Sequence, residues 1–194
     1  MIHDFDKPSD AARFRNLVRE PSGLSEAQIT WIRDYGDDLK KTSVKLYGGY
    51  DDNMVKARGS HFPLNDDTRW LYKHMESVAR RINGYSYDFD LTGFTETFYF
   101  HTYDGALGEH FGWHVDAGAG TPAPRKLSLV LQLSSPDEYE GGDFEVKTPL
   151  GKQVAVKGLG LVTAFPSFRI HRVTPVTRGV RRALVMFAGG PHFR

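Results

Sequence analysis

The sequence predicts a mainly β fold, a β-sandwich or jelly roll braced by helices on its N-terminal side. Three observations predict it. Aromatic residues make up 13% of the chain beside 20 glycines and 10 prolines, a composition suited to short strands and turns rather than a helical bundle. The hydrophobic period is helical in two segments before Tyr85 and changes to two after it. Six closely spaced β-rich runs then follow, separated by turn residues.

The elements follow in order. "SGLSEAQITWIRDYGDDLKK" carries Leu24, Ile29, Ile32 and Tyr35 at helical spacing, with Ser25 placed as the N-cap. "SVKLYGGY" alternates Val44 and Leu46 with polar neighbours and stops at Gly48-Gly49, a strand and turn. "YDDNMVKARGSHFPLNDD" has no period of its own and is expected to be a long loop, a candidate lid. "DDTRWLYKHMESVARRING" predicts the clearest helix. Asp66 or Asp67 is its expected cap, Trp70, Leu71, Met75, Val78 and Ile82 its apolar stripe, and Asn83-Gly84 its close. Beyond it, "TETFYFHTY", "RKLSLVLQLSS", "GDFEVKT", "KQVAVKG", "LVTAFPS" and "RRALVMFAGG" read as strands. Ser135-Pro136-Asp137, Glu140-Gly141-Gly142 and Pro149-Leu150-Gly151 supply turns between them. Leu127, Leu129, Leu131 and Leu133 alternate strictly and are read as core.

The 194 residues fit one domain, 1–194, with 1–84 as mostly helical support and candidate lid and 85–194 as the jelly-roll core. With 25 basic and 24 acidic residues the net charge is +1, so neither a nucleic-acid partner nor a membrane surface is expected. The absence of cysteine excludes a disulfide framework, a zinc knuckle and a thiol nucleophile. "MIHDFDKPSD" is polar and acidic, and no apolar run approaches membrane-spanning length, so a soluble, cytoplasmic protein is expected.

The chemistry concentrates around "HFGWHVDAG", residues 110–118. A helix there would pair His110 with His114; a strand would pair His114 with Asp116. Gly105, Gly108, Gly112, Gly118 and Gly120 oppose the helix, since each interior glycine costs roughly 1 kcal/mol relative to alanine. On a strand, His114 and Asp116 share a face and Val115 takes the other. A third ligand has to come from elsewhere among the eight histidines. His74 lies in the amphipathic helix, and His3 and His192 lie near the ends, where tethering is poor. His171, between "AFPSFR" and "RVTPVTRGVRR", stands out. Two histidines and one carboxylate occupy one face of an octahedron and leave three positions open, as suits non-haem Fe(II) oxygenases. Taken singly, a His-x-Asp pair is commonly a surface hydrogen-bonding pair, and a lone histidine commonly structural. Arg181, ten positions after His171 at the start of a β run, changes the balance by offering an anionic co-substrate a bidentate partner. Phe111 and Trp113 are read as packing, Glu140 as a solvated turn residue and His110 as a loop residue. Gly141-Gly142 is expected to supply positive φ or a close approach.

At these residues the sequence resembles the Fe(II)- and 2-oxoglutarate-dependent dioxygenases, and within them the prolyl 4-hydroxylase-like branch with a PKHD-type catalytic domain. "ETFYFHTYDGALGEHF", "HFGWHVDAG", "YEGGDFEV" and "FPSFRIHRVTPVTRGVRRAL" carry the resemblance. It implies a double-stranded β-helix, cupin-like, with His114, Asp116 and His171 as iron ligands and no further catalytic residue. It implies that Arg181 binds the distal carboxylate of 2-oxoglutarate, and that Tyr103, eleven residues before His114, hydrogen-bonds it. Arg182 competes with Arg181, but the two point to opposite faces of a strand, and spacing favours Arg181. The implied cofactors are Fe(II), 2-oxoglutarate, O2 and ascorbate. The implied activity couples oxidative decarboxylation of 2-oxoglutarate to C–H hydroxylation of a prolyl or other residue in a protein or peptide. Asp116 fills a position that the related halogenases leave to chloride, which favours hydroxylation. A free amino acid or small molecule is the alternative substrate. A non-catalytic jelly-roll metal-binding protein is the alternative of another class, and Arg181 argues against it. Substrate contacts are expected in "GGYDDNMVKARGSHFPLNDD" and "AGAGTPAPR", because binding loops vary on a rigid scaffold.

Overall fold

Two antiparallel sheets lie face to face in the computed structural model, which describes residues 15–44, 54–118, 120 and 122–191. The N-terminal part contributes β1 (Val18–Pro21), α1 (Glu26–Asp38), β2 (Thr42–Ser43), β3 (Val55–Lys56), β4 (Arg58–Phe62) and α2 (Arg69–Ser86). There follow β5 (Gly93–Phe94), β6 (Phe98–Asp104), β7 (His110–His114), β8 (Arg125–Gln132), β9 (Tyr139–Gly141) and β10 (Phe144–Thr148). The chain ends with β11 (Gly151–Val154), β12 (Leu161–Pro166), β13 (His171–Val173) and β14 (Val176–Gly189). The larger sheet runs β1-β12-β8-β14-β6-β4-β2, with β5 and β9 also paired to β14; the smaller runs β11-β10-β13-β7-β3. From β6 to β14 the chain passes repeatedly between the sheets, with β7, β10 and β13 in the smaller and β8, β12 and β14 in the larger. That winding is the expected double-stranded β-helix.

Alternation explains the layers. Leu127, Leu129 and Leu131 on β8, with Leu133 just beyond it, turn to the outer face of the larger sheet, where all four are fully buried against the helices. Burying such a side chain is worth about 1.5–3 kcal/mol. Ile29 and Ile32 of α1, and Leu71, Met75, Val78 and Ile82 of α2, fill the same core. The opposite phase of the strands faces inward: Val130, Phe144, Phe165 and Val173 form a second core between the sheets. No helix among the described residues is long and apolar enough to cross a membrane.

Ser25 caps α1 through a capping box, accepting from the Gln28 backbone while Gln28 reaches back to the Ser25 backbone. The ends of α2 differ from expectation. Neither Asp66 nor Asp67 caps it; Thr68 stands at the N-cap, its hydroxyl donating to Pro63 O at 2.6 Å and its N–H donating to Asn65 Oδ1. At the other end the helix runs through Asn83-Gly84 to Ser86, because Asn83 spends its amide on the loop, bonding both N and O of Phe89.

The N-terminal part also differs. Strands β3 and β4 run through the middle of the stretch expected to be a loop, β3 pairing with β7 and β4 with β6. Both are short, and β4 buries Gly59, Ser60 and Phe62 rather than an alternating apolar set. They are held by sheet hydrogen bonds more than by a hydrophobic period, so no period announces them. Residues 50–53, like Leu46 and the Gly48-Gly49 turn, lie outside the described residues.

Candidate active site

The cavity between the sheets has a volume of about 620 Å³. The smaller sheet places two histidines on its wall. His171 opens β13 and pairs in register with His114, the last residue of β7. The register slips between this pair and the next, Val173 with Phe111. One residue on β13, Arg172, therefore faces two on β7, Gly112 and Trp113, a bulge that restores Phe111 and His114 to the same side. Both line the cavity, their rings 4.0 Å apart. Gly112 sits in the bulge, where a Cβ would come within 2.9 Å of Met54 O. Trp113 faces away from the cavity, between Lys147 and Arg172. His110, expected in a loop, begins β7, pairs with Lys56 and does not line the cavity.

Asp116 follows two residues past the end of β7, in a bend held by Ser167, whose carbonyl accepts from the N–H groups of both Asp116 and Ala117 at 2.9 Å. Its carboxylate lies 3.5 Å from Nε2 of His114 and 3.5 Å from Nε2 of His171. One ligand atom from each of these three residues lies within 4.8 Å of the others, a group that can hold a metal ion.

The hydrogen bonds fix the tautomers. Nδ1 of His114 lies 2.8 Å from Gly112 O, and Nδ1 of His171 lies 2.9 Å from Arg169 O. A carbonyl oxygen only accepts, so each Nδ1 carries the proton and each Nε2 presents a lone pair. Burial holds the His171 imidazole neutral down to about 4. Burial alone would raise the Asp116 carboxyl, but His171, His114 and a 2.6 Å hydrogen bond donated by Ser128 Oγ hold it well below the usual carboxylate range. Two imidazole nitrogens and one carboxylate oxygen converge, a donor set that fits Fe(II).

Deeper in, Arg181 of β14 stands opposite Tyr103 of β6, its guanidinium 5.2 Å from the centre of the tyrosine ring. Arg181 is 3% exposed. None of the ion pairs among the described residues involves it. Its stem runs past Gly142, where a Cβ would lie 3.0 Å from Arg181 Cδ. Gly142 has φ +61° and Gly141 φ +69°, so both the positive φ and the close approach are present. Burial pushes the Tyr103 phenol up to about 12. Arg182 points the other way, to Asp37 Oδ2 at 2.8 Å on α1.

Another wall of the cavity holds polar residues to which sequence reasoning gave no individual role, although Arg125 lies in a segment expected to touch substrate. Arg125 meets Glu96 through two bonds, of 2.8 and 2.9 Å, and donates a third to the backbone carbonyl of Asp116 at 3.1 Å. Its guanidinium stacks on Phe187, 3.7 Å from the ring centre. Tyr99 donates to the same Glu96 at 2.5 Å. Ser128 and His101 were missed as well, though a signal existed. Ser128 lies in the phase of β8 opposite the leucines, and Tyr99 and His101 share the phase of Tyr103. Of the segments expected to touch substrate, Ala117, Gly118, Pro122 and Arg125 line the cavity.

A jelly roll carrying a two-histidine, one-carboxylate group and a buried cation in one cavity defines the class of non-haem iron oxygenases. The model of the 2OG-Fe(II) oxygenase superfamily matches residues 98–189. A PKHD-type hydroxylase of Acidovorax ebreus is 34% identical over 163 residues, 79% of this chain and 70% of that protein. Among solved structures, a prolyl-4-hydroxylase of Pseudomonas putida superposes with a TM-score of 0.74 at 16% identity, covering 93% of this chain and 96% of that one. A Trichoplax adhaerens prolyl hydroxylase, in complex with a hypoxia-inducible-factor peptide fragment, gives a TM-score of 0.75 at 13% identity, covering 90% and 83%. At those identities the structures establish the fold alone. The chain belongs to the PKHD-type family of the 2OG-Fe(II) oxygenase superfamily. It is a 2-oxoglutarate-dependent dioxygenase of the hydroxylase kind, for which the family implies Fe(II), 2-oxoglutarate and O2.

Proposed function

We propose that the protein hydroxylates a prolyl or other residue of a protein or peptide, with the chain acting as one catalytic unit. His114, Asp116 and His171 hold Fe(II), and Arg181 with Tyr103 holds the distal carboxylate of 2-oxoglutarate. One observation carries the reading: two Nε2 lone pairs and a carboxylate converge in the same cavity as a buried guanidinium that has no carboxylate of its own. A cation so placed is costly unless an anion joins it. The iron centre, when bound, supplies oxidative decarboxylation of 2-oxoglutarate and the oxidant for C–H hydroxylation. The chain's own groups bind and orient. Gly112 O and Arg169 O hold the two imidazoles in the ligating tautomer, and Ser128 fixes the rotamer of Asp116. Phe111, Val130, Phe144 and Phe165 wall the cavity and exclude water.

The peptide reading is supported by charge. Arg125 is already neutralised by Glu96, so its remaining N–H groups suit a neutral carbonyl better than the carboxylate of a free amino acid. Two of the neighbouring solved structures are prolyl hydroxylases, one of them in complex with a peptide fragment. The experiment is succinate release from anaerobically purified protein given Fe(II), 2-oxoglutarate and air, with prolyl peptides and free amino acids compared. Peptide-stimulated succinate with matching +16 Da product (one added oxygen) is expected. Stimulation by free amino acids alone would overturn the peptide assignment.

A further inference from the structure

His101 belongs to neither the metal-ligating group nor the co-substrate pair, yet it is a third histidine on the cavity wall and is itself 8% exposed. It stands on β6 opposite Ala183 of β14, whose small side chain leaves room for the ring. Burial first, and the Arg181 cation second, keep the imidazole neutral down to about 4. Its ring lies 16° from parallel to Phe111, and its Nδ1 is 3.4 Å from the hydroxyl oxygen of Tyr103.

The Tyr103 oxygen has one proton and two lone pairs, and the Arg181 guanidinium lies over its ring, 5.2 Å from the centre. Two arrangements with His101 follow. In the first, the Tyr103 O–H donates to an unprotonated His101 Nδ1, and no Tyr103 proton faces the cavity. In the second, His101 carries its proton on Nδ1 and donates to one of the lone pairs. The Tyr103 O–H then has to turn toward the cavity. A neutral imidazole can adopt either tautomer.

We propose that His101 is a positioning residue that acts through Tyr103. With a carboxylate docked on Arg181, His101 Nδ1–H donates to the Tyr103 oxygen and so aims the Tyr103 O–H at that carboxylate. The ligand-free protein takes the first arrangement and the loaded protein the second. The imidazole gives up its Nε2 proton and gains one on Nδ1, with no net proton uptake. The inference rests on the reading that Arg181 holds 2-oxoglutarate, and the chain of donors explains why a neutral histidine, rather than an apolar residue, lies beside the phenol.

The test is calorimetric binding of 2-oxoglutarate to the Zn(II)-loaded protein, a redox-inert form, with a double-mutant cycle. His101→Leu and Tyr103→Phe are each expected to weaken binding roughly tenfold, the loss of one hydrogen bond to a charged group. The double variant is expected to be no weaker than Tyr103→Phe alone, and His101→Asn, whose amide reaches the Nδ1 position, is expected to recover most of the affinity. Nitrogen-15 spectra of the imidazole should show Nδ1 becoming protonated when 2-oxoglutarate is added. Independent, additive losses, or an Nδ1 that stays unprotonated in the loaded protein, would overturn the inference while leaving the Arg181 assignment standing. Equal binding by wild type and Arg181→Met would instead overturn both.

Discussion

One cavity holds two arginines in opposite electrostatic states. Arg125 is matched by Glu96 through two bonds and stacked on Phe187, so its charge is compensated before any ligand arrives. Arg181 is more deeply buried and has no carboxylate partner among the described residues. Burying a charge without a counter-ion costs several kcal/mol, so the two side chains have different purposes. The compensated arginine builds a wall and braces Asp116 through its backbone carbonyl. The uncompensated one keeps its attraction for an incoming anion. On the proposed assignment the cavity would sort its ligands, anionic co-substrate at Arg181 and neutral substrate groups near Arg125.

The largest expected effect concerns the proposed metal ligands in the same cavity. Asp116→Ala is expected to abolish turnover and to lower metal affinity by more than about 100-fold, beyond the loss typical of removing an outer-sphere partner. Equilibrium dialysis with Mn(II) and a succinate assay check it. Wild-type metal affinity in the variant would dissolve the proposed triad.

Next comes the contrast itself. Arg181→Met is expected to weaken 2-oxoglutarate binding by about 10–100-fold, as for loss of a charge-assisted pair. It should leave the stability of the ligand-free fold unchanged or raised, since it removes an unpaired buried cation. Arg125→Met should do the reverse. Stranding Glu96 costs about 1–3 kcal/mol of stability, and Glu96→Gln added to it should return part of that. Denaturant midpoints for the variants sharpen the comparison, and a strongly destabilised Arg181→Met would break it.

A smaller effect depends on pH. His101 and His171 are both held neutral down to about 4 in the folded chain, while an unfolded histidine titrates near 6.5. Below about 6.5 the unfolded state takes up protons that the metal-free fold refuses. The stability contributed by the neutral imidazoles is therefore complete above that pH and is lost progressively as pH falls toward 4. Unfolding of metal-free protein across this window is expected to lose on the order of a few kcal/mol. A flat profile would contradict the burial of both rings.

The smallest effect belongs to Arg182→Ala. Its pair with Asp37 is partly exposed, with side-chain exposures of 22% and 35%, so a loss below about 1 kcal/mol is expected, with 2-oxoglutarate affinity unchanged. Weakened affinity here would exchange the roles of the two neighbours.

The positions of the site residues were partly legible in the sequence, for physical reasons. His114, Asp116 and His171 are short-range signals: a spacing of two at a strand end, and a histidine beside a glycine- and proline-marked turn. The separation of Arg181 from Arg182 follows from strand parity alone, and β14 places one in the cavity and the other against α1. The Glu96–Arg125 pair was not legible, because two charges 29 residues apart look like ordinary surface residues until β8 and the turn before β6 bring them together. The bulge at Gly112 was hidden likewise, since it exists only against β13. In the fold, the six long β-rich runs and both helices were visible through their periods. Strands β1, β3, β4 and β9 were not, being two to five residues long and recruited by pairing.

The anaerobic absorption spectrum of the Fe(II)-loaded protein titrated with 2-oxoglutarate tests the central claim most directly, because it reads triad and carboxylate anchor together. A visible band that grows with 2-oxoglutarate is expected in the wild type, absent in Asp116→Ala, and displaced to about 10–100-fold higher concentration in Arg181→Met. No band in the wild type, or one that titrates identically in Arg181→Met, would contradict the account.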